Sequence, residues 1–359
     1  MRLAVLTSGG DAPGMNAALR VVAKLGAARG VHVDGVMHGY DGLMAGRFLP
    51  LTREIDGGVV PTSEVDRLGS EGGTLLGSVR SAAFRTPEGR SRAAGQLDDH
   101  LGLIVIGGNG SLTGAHLLAT EHDVPVVGLP ASIDNDIGCT STAIGVDTAL
   151  NTILDAGDRI ADTARAHRRA FVIEVMGRDC GYLAMASAVA LGADAVLSRE
   201  QGHSEAELVH AVAQVVRHGL HPSRAKRRVL VIKAEGVAVP TDRLVTAVQA
   251  AVREALPDVE VRGTVLGHVI RGGRPSYQDR MVASRLARDA VNAVLDGVTD
   301  TMCGWRPDSP GGTPTDDPSV RRFPLERVLD ETRALLDGTS PVARTRMRLL
   351  HEVEGVLAL

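Results

Sequence analysis

Short apolar runs alternate with longer segments of mixed polarity along most of the chain. Six runs are compact and rich in Val, Ile and Leu: 2–8 (RLAVLTS), 103–108 (LIVIGG), 124–130 (VPVVGLP), 170–177 (AFVIEVMG), 194–198 (DAVLS) and 228–236 (RVLVIKAEG). Runs of this kind, most of them ending in Gly, Ser or Pro, predict buried strands. Between them lie helix patterns at 15–28, 111–120, 143–164, 205–218 and 241–255. Sustained strand–helix alternation predicts an α/β protein on parallel, doubly wound sheets. The stretch 138–166, opening with Gly138-Cys139-Thr140-Ser141, reads as a helical bridge from one sheet to the next. Residues 306–319, dense in Pro, Gly and Asp, read as an exposed loop. The remaining tail to Leu359 predicts two amphipathic helices split at Gly338-Thr339-Ser340-Pro341.

At 359 residues the chain is comfortable for two domains. Aromatic residues are only 2% against 44% apolar, so the core is mostly aliphatic, which suits helices packed on a parallel sheet. The net charge of −4 comes without a sustained charge run, which argues against a nucleic-acid or anionic-membrane surface. No apolar stretch reaches the roughly 18 residues of a membrane span, and the Met-Arg-Leu-Ala-Val start shows no signal-peptide pattern. Cys139, Cys180 and Cys303 fit neither a zinc spacing nor a disulfide framework and read as reduced thiols of a cytoplasmic protein.

Candidate chemistry gathers at strand ends. In 6–20 a strand ends at Gly9-Gly10, Pro13 suits a first helical turn, and a helix follows from Met15. In 102–115 a strand drives into Gly107-Gly108-Asn109-Gly110-Ser111. Glycines let a backbone approach a ligand closely, and helix N-termini favour anions. A third loop, 130–138, carries Asp134 and Asp136. Alone, each feature is also an ordinary tight turn or a pair of capping carboxylates. Together they suit magnesium-assisted phosphoryl transfer, in which one acid takes the acceptor proton and another helps hold the metal.

Five motifs carry a resemblance: LTSGGDAPGMNAALR, GGNGSLTGA, PASIDNDI, EVMGRDCGYLA and TVLGHVIRGG. In this order, from residue 1 to about 297, the chain resembles the bacterial 6-phosphofructokinase family; beyond that the likeness is thin. The resemblance implies two Rossmann-like domains with the active site between them. Residues 1–145 with about 270–320 would form the phosphoryl-donor domain, and 146–269 with about 321–359 the sugar-phosphate domain. The implied reaction moves a phosphoryl group from Mg-ATP to the 1-hydroxyl of fructose 6-phosphate.

Residue by residue, the resemblance makes Asp134 the base, with Ser132 touching the moving phosphoryl and Arg178 neutralising its charge. Gly10, Tyr40, Arg80, Gly108, Asn109, Gly110 and Ser111 fall at the nucleotide site. Met176, Gly177 and Glu235 line the sugar, and Arg169, Arg262, His268 and Arg271 take its phosphate. Counterparts of Arg169 and Arg262 reach in from a neighbouring subunit, implying a homo-oligomer, a tetramer with shared active sites. An effector site is implied at Arg20, Lys24, Arg53, Glu200, Arg224 and Lys226, although Ala161 replaces one family arginine and Arg199 adjoins Glu200.

Asn109 departs from the family, which keeps a metal-binding aspartate there. An amide offers Mg2+ a carbonyl oxygen without charge, so Asp136 and the ligand's own phosphates carry more of the coordination. Three readings follow: an ATP-using kinase, a pyrophosphate-using enzyme, and a paralogue that binds sugar phosphate without turnover. Pyrophosphate users carry an acid after this position and a lysine in the third loop. Here the corresponding residues are Gly110 and Ala131, which favours ATP. Another ketose phosphate, such as sedoheptulose 7-phosphate, would meet the same cations.

Overall fold

The computed structural model describes residues 1–307, 309–345, 348–349 and 352. In chain order its strands are β1 (Arg2–Ser8), β2 (His32–Val36), β3 (Phe48–Pro50), β4 (Thr52–Ile55), β5 (Gly58–Pro61), β6 (Leu103–Gly107), β7 (Val126–Pro130), β8 (Ala170–Val175), β9 (Ala195–Leu197), β10 (Val229–Ala234), β11 (Val261–Val265), β12 (Thr301–Trp305), β13 (Thr313–Pro314) and β14 (Val320–Pro324). The chain divides into two compact units. The first is Met1–Thr148 with Arg271–Asp337; the second is Ala149–Ile270, joined by the described residues from Gly338 onward.

The first unit is built on a sheet ordered β13-β14-β12-β7-β6-β1-β2-β3. Its middle is parallel, and β6 and β7 are buried along their whole length because helices cover both faces. The Met15–Ala28 and Tyr277–Leu295 helices pack on each other, and both bury several alanines. Both margins are antiparallel, β3 on β2 and β13-β14 on β12, and both outer strands end in proline, Pro50 and Pro314. The doubly wound parallel arrangement expected of the chain holds from β12 through β7, β6 and β1 to β2. The separate β4–β5 hairpin turns through Asp56-Gly57, both at positive φ.

The second unit holds a smaller parallel sheet, β11-β8-β10-β9. Its β10 is buried throughout, and the Glu205–Gly219 and Thr241–Val252 helices pack on each other. Two expectations change. The helix foreseen from 143 begins at Val146, because Gly145 at φ +105 breaks the backbone before it. Residues 321–337, expected with the sugar-phosphate domain, belong to the first unit, since β14 pairs antiparallel with β12 over five residues. The loop at 306–319 is exposed over most of its length, but Asp317 is 7% exposed and ion-paired to Arg285. The second tail helix falls largely outside the described residues. Among the described residues no helix is long and apolar enough to cross a membrane.

Candidate active site

Ser8, Gly107 and Pro130 lie side by side at the carboxyl ends of β1, β6 and β7. Ligands of open α/β sheets bind beyond that edge. The first loop turns at Gly9, φ +91. At Gly107 a Cβ would stand 2.6 Å from both the Ser8 carbonyl oxygen and Ser111 Oγ, so only glycine lets the strand end pass there. Ser111, 3% exposed, fills the space between the two glycine turns.

The Asn109–His122 helix begins at Gly108, whose extended backbone brings no side-chain cap. The N–H groups of Asn109 and Gly110 thus have no intrahelical acceptor, and the helix dipole adds positive potential at the same end. Gly110 is exposed, and a Cβ on it would meet nothing within 4 Å. Tyr40 supports this turn from beneath rather than lining it. It is 4% exposed, stacks on Phe84 at 3.9 Å and donates its hydroxyl to the Ser111 carbonyl at 2.6 Å. Burial pushes that hydroxyl far above the ordinary tyrosine range, which keeps it a donor. Arg80 is exposed on a loop laid against β1 by bonds from Thr7 Oγ1 to the Gly77 carbonyl (2.9 Å) and from Ser78 Oγ to the Gly9 carbonyl (2.6 Å).

The third loop presents the acids. Ser132 Oγ donates to Asp136 Oδ1 at 3.0 Å and accepts the Asp134 N–H at 3.3 Å. Asp134 is 2% exposed, and Arg271 Nη2 stands 3.8 Å from its Oδ1. The same guanidinium donates to the Asp11 carbonyl at 3.4 Å and occupies the space a Cβ on Gly10 would need. Arg271, expected at the sugar phosphate, therefore stands in the first unit beside the candidate base. Asn109 and Asp136 offer magnesium an amide oxygen and a carboxylate. Among the described residues no group of three or more His, Cys, Asp or Glu forms a cage. Such a sparse oxygen set fits Mg2+, which binds through one or two carboxylates and its substrate's phosphates.

In the second unit, β8 ends in the Met176-Gly177-Arg178 turn. Gly177 (φ +144) and Arg178 (φ +49) both take positive φ. Their N–H groups donate to Glu235 Oε1 at 3.2 and 2.7 Å, so Glu235 holds the turn together. Met176 is buried beside it. A non-glycine residue in the left-handed region costs on the order of 1 kcal/mol, and such strain concentrates at functional sites. Arg169 Nε and Arg262 Nη2 share Glu260, at 2.7 and 3.0 Å. The hydrogen bond from Arg262 and the charge of Arg169 hold that carboxyl below its usual range. His268 is exposed in the same unit. Glu200 and Lys226, candidates for an effector site, have internal partners: Glu200 accepts the Gly181 N–H at 2.6 Å, and Lys226 pairs with Asp194.

Sequence reasoning passed over Asn16 and Asn135. Asn16, 3% exposed, accepts the Leu75 N–H at 2.7 Å and donates to the Gly72 carbonyl at 3.0 Å, pinning the loop that leads to Arg80. Asn135, at φ +51 between the two acids, bonds the Ser141 carbonyl and the Ala143 N–H, both at 3.1 Å. Both lie inside recognised motifs, where their amides were the available signal.

Glycine turns at a helix N-terminus, next to a buried aspartate and a half-buried one, define an α/β protein built to handle phosphate groups. A family model described as phosphofructokinase matches residues 2–294, and the chain belongs to that family. It is 45% identical over 303 residues to a protein of Thermotoga neapolitana named ATP-dependent 6-phosphofructokinase, covering 84% of this chain and 88% of that one. A protein of the same name from Cytophaga hutchinsonii is 40% identical over 341 residues, 94% of this chain and 98% of the relative. The solved phosphofructokinase of Saccharomyces cerevisiae superposes with a TM-score of 0.77 at 35% identity over 96% of this chain, which spans about half (47%) of the yeast chain.

Proposed function

We propose that this chain transfers the γ-phosphoryl group of ATP to the 1-hydroxyl of fructose 6-phosphate, giving fructose 1,6-bisphosphate. The observation that carries this reading is the 131–137 loop, where buried Asp134 stands beside the Ser132 hydroxyl and the Asp136 carboxylate, next to the Gly107-Gly108 turn. Asp134 takes the proton of the attacking hydroxyl, and Ser132 steadies the phosphoryl group in flight. The Asn109–His122 helix start receives the donor phosphates through backbone N–H groups, and Arg80 adds a cation to them. Magnesium, held by the Asp136 carboxylate and the Asn109 amide oxygen, would neutralise phosphate charge.

Arg178 neutralises charge developing on the phosphoryl group. Glu235 fixes the Gly177-Arg178 turn through Oε1 and accepts a sugar hydroxyl through Oε2. Met176 and Gly177 line the sugar, while His268 and Arg271 are the cations for its phosphate. Arg169 and Arg262 serve the sugar phosphate of a neighbouring copy in a homotetramer. Two features support that assignment: Arg262 lies on the outer strand β11, and Val265 and Val269 nearby are 58% and 65% exposed. The substrates are cytoplasmic metabolites, and the enzyme belongs with them.

The small residues Gly110 and Ala131 favour a nucleotide over free pyrophosphate as donor. Turnover measured for ATP and pyrophosphate, each against fructose 6-phosphate and sedoheptulose 7-phosphate, tests the reading. The expected best pair is ATP with fructose 6-phosphate. Faster turnover with pyrophosphate, or with the longer sugar, would overturn the donor or acceptor assignment. Sugar-phosphate binding without turnover for any pair would overturn catalysis.

A further inference from the structure

The loop bearing Asp134 and Asp136 is tied down on its far side by a helix outside the family match. That match ends at residue 294, whereas the helix runs Leu325–Leu336. Gly138 donates its N–H to Thr332 Oγ1 at 2.9 Å, and Cys139 donates its N–H to Glu331 Oε2 at 3.2 Å. The Thr332 hydroxyl donates its own hydrogen bond to the Val328 carbonyl at 2.7 Å, so it is fixed as an acceptor toward Gly138. Glu331 is oriented by Arg327 Nη2, 3.3 Å from Oε1, and by the Ser309 hydroxyl on Oε2.

The fit is close. A Cβ on Gly138 would stand 2.6 Å from Glu331 Cβ and 2.9 Å from the Val328 carbonyl oxygen. Thr332 is 1% exposed, so no solvent replaces its hydroxyl. Cys139 follows at φ +57, and Ser141 then donates its N–H to the Trp305 carbonyl at 3.0 Å. The Ser141 carbonyl takes the Asn135 amide at 3.1 Å, which closes the path back to the residue between the two acids.

We infer that Thr332 and Glu331 are positioning residues for phosphoryl transfer, fixing the Gly138-Cys139 turn and through it the placement of the Asp134 and Asp136 carboxylates. The inference rests on the proposed function. Neither side chain needs to touch a substrate. Removing the Thr332 hydroxyl strands a buried N–H, and the turn moves to satisfy it. Small displacements of reacting groups are expensive: a shift of about 1 Å can cost about 10²-fold in rate.

The test compares Thr332→Val, Thr332→Ser and Glu331→Gln in the full chain. For Thr332→Val, kcat should fall about 10-fold or more while KM for both substrates stays within about twofold. Thr332→Ser keeps the hydroxyl and should recover kcat to within about twofold of wild type. Glu331→Gln should show the same kcat-against-KM split in weaker form, and it carries the comparison if Thr332→Val does not fold. Amide hydrogen exchange gives a second readout: peptides covering 132–139 should exchange about 10-fold faster in Thr332→Val under conditions where the chain stays globally folded. Folded Thr332→Val and Glu331→Gln chains with wild-type kcat and wild-type exchange would overturn the inference. A wild-type chain inactive on ATP and fructose 6-phosphate overturns the proposed function instead, and the exchange rates then judge the clamp alone.

Discussion

Asp134 combines near-complete burial with the Arg271 guanidinium 3.8 Å away, so its carboxylate is held in a dry place beside a cation. Asp134→Asn keeps the shape and the backbone bond to Ser132 but removes the proton acceptor. In steady-state assays kcat should drop at least about 10²-fold with KM near wild type; an unchanged kcat in a folded variant removes Asp134 from the mechanism. Gly110 allows an unusually clean experiment, because a side chain there meets nothing within 4 Å of its Cβ. Gly110→Asp should therefore fold normally and still lose ATP turnover, by crowding and repelling the donor. Asn109→Asp should instead lower the magnesium concentration at half-maximal rate, since a carboxylate attracts the ion more strongly than an amide. ATP turnover surviving in Gly110→Asp would mean that the nucleotide does not lie over this turn.

Among larger pieces, the strand ends and the loops leaving them were legible in the chain, because β6 and β10 are nearly continuous apolar runs with glycine or acidic punctuation. Other elements were not. The β11 strand carries Arg262 and Gly263 with an exposed face, so it lacks the buried-strand pattern. The Tyr277–Leu295 helix is studded with arginines whose partners, Asp316 and Asp317 for Arg288 and Arg285, lie about 30 residues further along. The support given by Glu331 and Thr332 leaves no local signal either, since its hydrogen bonds span more than 190 residues. The Arg169–Glu260–Arg262 cluster belongs to this scale, as it joins the start of β8 to β11. Arg169→Ala and Arg262→Ala should each raise KM for the sugar phosphate well above any change for ATP. Mixed oligomers of Asp134→Asn and Arg262→Ala chains should regain activity if sites are shared, and verified mixtures that stay inactive argue that each chain works alone.

Across the whole molecule, buried carboxylates set the response to acid. Burial works to raise Asp34, but the hydrogen bonds from His100 and Arg2 outweigh it and hold the carboxyl below its usual range. The Arg285 guanidinium does the same for Asp317. A carboxyl depressed in the folded state adds stability above its unfolded value, about 4, and loses it as pH falls through the folded value. Asp279 runs the other way: burial pushes it up despite bonds from Thr148 and Gly145, so its contribution is complete at low pH and is lost as pH rises through its folded value. Asp317→Asn isolates one of these groups. Its melting temperature should lie below wild type near neutral pH, and the gap should close as pH drops below about 4. A gap that stays constant over that range would show that Asp317 does not titrate in a linked way.

The proline-ended margins of the larger sheet bear on how the chain behaves in a crowded solution. Strand-by-strand polymerisation needs a ladder of free N–H donors, and β3 and β13 are three- and two-residue stubs whose last residue has none to give. The smaller sheet is less guarded, since β11 offers five residues without a proline. Precipitation on heating should start at that strand once copies that cover it separate, and a charge placed on it away from Arg262 would be the first change to make in a more soluble variant.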